Sequence, residues 1–77
     1  MRQATGRITV VQEGRFRLQA ENGRGLLFLL HHGAALEPQD LPALKHRRVR
    51  IRYEEGKDLI AGIARDVVLL EEPGRGA

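Results

Sequence analysis

Apolar residues recur at every second position through the first thirty residues, at Ile8 and Val10, at Phe16, Leu18 and Ala20, and at Leu26, Phe28 and Leu30. That period places one set of side chains on a single face of a β-strand. Turn residues separate the runs at Glu13-Gly14 and Asn22-Gly23, and Asn-Gly supplies the positive φ of a tight hairpin. The pattern predicts a β-meander with strand one over about Thr5 to Gln12, strand two over Arg15 to Ala20 and strand three over Gly25 to His31. Strand one should turn Ile8 and Val10 inward and Arg7, Thr9 and Val11 outward. Strand two should bury Phe16 and Leu18 and expose Arg15, Arg17 and Gln19. Strand three is apolar on both faces, so with Leu26, Phe28 and Leu30 inside, Leu27 and Leu29 need cover from outside.

Residues 33–46 interrupt the alternation, with Gly33, Pro38 and Pro42 as punctuation. A short helix fits there, with Asp40 capping Leu41, Pro42 close to its start, and Leu41 and Leu44 closing one end of a barrel. Alternation resumes at Val49, Ile51 and Tyr53, predicting strand four over about Arg47 to Tyr53 with Arg48, Arg50 and Arg52 as one outward row. A charged loop from Glu54 to Asp58 leads to strand five over about Leu59 to Leu69, with Gly62 as a bulge or bend. The expected architecture is all-β, a five-stranded antiparallel barrel with one short helix between strands three and four. Residues 1–72 form one domain and residues 73–77 a disordered tail.

Three strands, a helix and two further strands resemble an OB-fold, and the first half of the chain resembles bacterial translation initiation factor 1 and related ribosomal RNA-binding modules. The residues that carry the resemblance are Gly6 on strand one, Phe16-Arg17-Leu18 on strand two, Asn22-Gly23 at the turn and Leu26-Leu27-Phe28 after it, with Val49 and Ile51 where that family has its fourth strand. It covers residues 5–68. The chain departs from the family in having Arg47-Arg48 in place of a Gly-Asp pair before strand four, and acidic Glu71-Glu72 where the family ends in basic residues. The resemblance implies that strands one, two and four are neighbours and that the partner is RNA.

Charge is unevenly distributed along the chain. Its net value is +3, but residues 1–52 carry ten Lys and Arg against four Asp and Glu, whereas residues 53–77 carry three against six. Eleven of the thirteen basic residues are arginine, whose planar guanidinium suits bidentate phosphate contacts. With the strand order implied by the resemblance, Arg7 lies between the Arg15, Arg17 row and the Arg48, Arg50, Arg52 row, and these six form the candidate nucleic-acid-binding face. Phe16, Phe28 and Tyr53 all fall on core faces. Without exposed rings for base stacking, binding should rest on phosphates and tolerate many sequences.

Other chemistries find little support. The chain has no cysteine and no serine, which removes disulfides, thiolate metal sites and the commonest nucleophiles. Thr5 and Thr9 lie on the first strand, and no histidine and carboxylate are spaced as a catalytic pair. His31 and His32, with His46 as a third ligand, are a weak metal candidate because adjacent strand residues point to opposite faces. No enzyme activity, cofactor or metal is therefore expected. The longest apolar run, Leu26 to Leu30, is too short to span a bilayer, and no secretory apolar segment follows Met1-Arg2-Gln3, so the expected location is cytoplasmic and no membrane partner is expected. Two readings remain, a non-catalytic module binding RNA or single-stranded nucleic acid, and a protein-interaction or assembly module with a homodimer through Leu27 and Leu29.

Overall fold

The computed structural model describes residues 1–56 and 61–70. Over these the alternation becomes β1 (Arg2–Gln12), β2 (Arg15–Ala20), β3 (Gly25–Leu30), a 3-10 helix (Pro38–Leu44), β4 (Arg48–Glu55) and β5 (Gly62–Leu69). The strands close into a barrel in the order β1-β2-β3-β5-β4. This is the expected OB-like all-β barrel with its helix between the third and fourth strands, but it is mixed rather than wholly antiparallel. β3 and β5 run parallel, with Phe28 beside Gly62, Leu29 beside Ile63 and Leu30 beside Ala64. The reason is parity: strand directions alternating around a ring require an even number of strands, so a closed ring of five must contain a parallel seam.

The core holds what the period-two pattern placed inside. Ile8, Phe16, Leu18, Phe28, Val49 and Ile51 are almost wholly excluded from solvent. The Phe16 and Phe28 rings stack at 5.4 Å, and Tyr53 meets Phe28 edge-on at 4.8 Å. Burial of the two phenylalanines supplies much of the apolar area that stabilises so small a domain.

Two irregularities redirect side chains. Ile8 pairs with Leu18 but Val10 pairs with Arg17, leaving Thr9 as an extra residue on β1. One extra residue reverses the faces that follow, so Val11 packs against the core and Val10 is 50% exposed, opposite to the expected orientation. The second lies on β5, where Arg52 pairs with Asp66 and Tyr53 with Ala64, leaving Arg65 as the extra residue. The expected bulge at Gly62 is thus at Arg65. Gly62 serves close packing instead, since a Cβ there would lie 2.8 Å from the Tyr53 ring and 3.1 Å from that of Phe28.

The helix closes one end of the barrel through fully buried Leu41 and partly buried Leu44. Its start differs from expectation. Pro38 takes the first helical position and Glu37 becomes the N-cap residue, so Asp40 sits in the first turn and accepts a hydrogen bond from the Glu37 N–H at 3.2 Å. β4 runs on through Glu54 and Glu55, which the charge pattern assigns to a loop. Lys57 and Asp58 of that loop, Leu59 and Ile60 at the start of the expected strand five, Glu71-Glu72 and the expected 73–77 tail lie outside the described residues.

Candidate nucleic-acid interface

β2 alternates exposed Arg15, Arg17 and Gln19 with buried Phe16, Leu18 and Ala20. Its two arginines are flanked differently on either side. Toward β3, Arg15 lies beside Leu29 and Arg17 beside Leu27; toward β1, Arg15 lies beside Gln12 and Arg17 beside Val10. The Thr9 bulge therefore sets Arg17 between two outward apolar residues, Val10 and Leu27, the latter 45% exposed. Leu29 is half-buried.

β4 presents its own row. Arg50 and Arg52 are exposed and Arg48 half-buried, alternating with buried Val49 and Ile51. β1 does lie between β2 and β4, but it pairs with them along different halves: Arg2 to Arg7 with β4, Gly6 to Gln12 with β2. The two arginine rows therefore meet only where Arg7 stands between Gln19 and Arg48. Arg52 is level with Gln3 and Arg15 with Gln12, about 30 Å apart along a strand at roughly 3.3 Å per residue. On a coiled barrel, six arginines spread over that length form two staggered patches instead of the single expected face.

Local pairing separates the patches further. Arg48 Nε is 2.7 Å from Glu21 Oε2, and Arg7 Nη1 donates to the His46 carbonyl oxygen at 3.1 Å. Arg15, Arg17, Arg50 and Arg52 make no ion pair among the described residues.

A groove of about 730 Å³ draws its walls from all five strands, with Arg2 of β1, Arg17 of β2, Leu26 and Leu27 of β3, Tyr53 of β4 and Gly62 of β5, and with Arg24 from the turn before β3. Among the described residues one acid, Glu55, also borders it and stands 3.4 Å from Arg2. Arg24 makes no ion pair among the described residues; its N–H is held by the Asn22 side-chain oxygen at 3.0 Å, next to Gly23 at φ 92°. The alternation does not reveal Arg2 and Arg24, because it begins strand one at Thr5 and leaves Arg24 in a turn. A signal for them exists all the same: extending the antiparallel β1–β2 register beyond Gly6 and Ala20 carries residues 2–4 toward residues 22–24.

At the other end of β3 the chain leaves the strand after Leu30, and the rings of His31 and His32 stack at 4.4 Å with 24° between their planes. The opposite-face expectation fails here because strand geometry has ended. Among the described residues no group of three His, Cys, Asp or Glu side chains is placed to hold a metal ion, and His46 is in a separate connection with its N–H bonded to the Ile8 carbonyl. The Gly33 N–H donates to His31 Nδ1 at 2.9 Å, which occupies the lone pair that a proton would take. Partial desolvation, then the Arg65 guanidinium and His32, push the His31 pKa below its ordinary 6.5, against an opposing pull from Glu54. A proton then binds the unfolded chain more readily than the folded one, so this contribution to stability is intact above pH 6.5 and declines as pH falls through the lowered folded value. An NMR titration should give His31 a midpoint below 6.5, and His31→Gln should remove its share of the acid-side loss in Tm. A midpoint above 6.5 contradicts the arrangement.

Comparison with known proteins returns no family model, no curated protein and no solved structure that matches the chain.

Proposed function

We propose that this chain is a non-catalytic module that binds single-stranded nucleic acid, RNA or DNA, chiefly through its phosphates. The observation that carries the reading is the groove in whose walls Arg17 and Arg24 stand without acidic partners among the described residues, with Arg2 adding a third guanidinium. OB barrels commonly take oligonucleotides on the face of strands two and three and the adjoining loops, an analogy of fold that agrees with where the uncompensated charge lies. Exposed guanidinium groups neutralise phosphates and release counterions, which gives affinity without reading bases. The resemblance of residues 5–68 to the initiation factor family makes ribosomal RNA one member of this target class.

Titration of labelled 12-nucleotide RNA and DNA against increasing salt tests the proposal. With three or four phosphates neutralised, log affinity should fall against log salt with a slope of about −2 to −3. No binding to either strand at low salt would sink the reading. Function would then pass to the outward apolar strip, in which Val10 and Leu27 flank Arg17, as a surface for a protein partner or a second copy.

A further inference from the structure

We propose that the stacked imidazoles of His31 and His32 are a platform on which one base of the bound strand stacks, an inference that rests on the nucleic-acid reading above. The position fits. Outward residues of β3 follow one another as Leu27 and Leu29, and the strand ends at Leu30, directly before His31 and His32. Arg17 and Arg15 stand beside Leu27 and Leu29 respectively. A strand whose phosphates follow those two arginines carries its bases along the apolar row toward the imidazoles.

The platform is also held in place. The His31 N–H donates to the Ala64 carbonyl of β5 at 2.8 Å, and its own carbonyl accepts from Ala34 N at 3.0 Å. Its ring is fixed by the bond from Gly33 to Nδ1, and Gly33 lies so close that a Cβ there would stand 3.1 Å from ring atoms Nδ1 and Cε1. Such anchoring lowers the entropy lost when a base settles on the pair. His32, stacked on this fixed ring, is exposed. Imidazole is among the side chains that stack unpaired bases, and beyond the end of β3 it supplies ring surface that the buried Phe16 and Phe28 do not offer, the half-buried Tyr53 lying instead in the wall of the groove.

The test compares a 12-nucleotide adenylate with a 12-unit abasic deoxyribose-phosphate strand, at pH 8 so that ordinary imidazoles are neutral and charge is held constant. The parent should bind adenylate more tightly. His32→Ala should weaken adenylate binding by about 5- to 10-fold, toward the low end for base–aromatic stacking because imidazole is small, while abasic binding stays unchanged. His32→Phe should restore adenylate binding, and Arg17→Gln should weaken both strands alike. Adenylate binding that is unchanged in both His31→Ala and His32→Ala overturns the platform and leaves the phosphate reading standing. A parent protein that binds neither strand overturns both.

Discussion

Gly6→Ala is expected to unfold much of the protein, while Gly14→Ala is expected to leave it at least as stable as the parent. A Cβ on Gly6 would lie 2.1 Å from the Gln19 carbonyl oxygen and 2.7 Å from Ala20 Cα. Both are backbone atoms and cannot swing aside as a side chain end would. Gly6 also pairs with Ala20 of β2 and Val49 of β4 at once, so any shift that relieves the contact disturbs two ladders. The cost should exceed about 3 kcal/mol, the upper end of ordinary overpacking. Against the ~5 kcal/mol at the low end of domain stabilities, that is most of the total. A Cβ on Gly14, by contrast, would meet nothing within 4 Å, and in the β1–β2 turn it is Glu13, at φ 56°, that takes the left-handed conformation. Alanine at Gly14 therefore narrows the unfolded ensemble without strain, worth about 0.4–1 kcal/mol. Urea unfolding of the two variants beside the parent checks the pair. A Gly6→Ala protein within about 1 kcal/mol of the parent would mean that β1 is not held between β2 and β4 as tightly as described.

The alternation made the inward residues legible because Phe16, Leu18, Phe28, Val49 and Ile51 each sit in a run where one face is plainly apolar. Their burial fixes which arginines point outward, and Arg15, Arg17, Arg50 and Arg52 do so. The bulges were not legible. Thr9 and Arg65 are ordinary strand residues, and the extra position shows only as a register shift against a partner strand. The parallel seam between β3 and β5 follows from closure with an odd strand count, a property of the ring that no local window contains. The stagger of the arginine rows has the same origin: it depends on how β1 divides its length between two partners far apart in the chain. Gly62 could be recognised as special, but its reason, the Phe28 and Tyr53 rings, lies on other strands.

That stagger gives the functional reading its largest expected effect. Replacing Arg15, Arg17 and Arg24 with Gln together should weaken binding of a 12-nucleotide strand by about 100-fold, taking each solvent-exposed guanidinium–phosphate contact at about 0.9 kcal/mol, inside the ordinary net range of a hydrogen bond. The slope of log affinity against log salt should flatten by about 2, since each lost contact removes roughly 0.7. Replacing Arg50 and Arg52, which flank the opposite half of β1, should change affinity only a few-fold through the long-range field, an effect that salt screens. Neither set should move Tm appreciably, because none of these five arginines makes an ion pair among the described residues and exposed charges contribute little to folding. The contrast between the two sets locates the interface. A large loss from Arg50 and Arg52 with little from Arg15, Arg17 and Arg24 would place the strand on the β4 arginine row and remove the groove walled by Arg17 and Arg24 from the account.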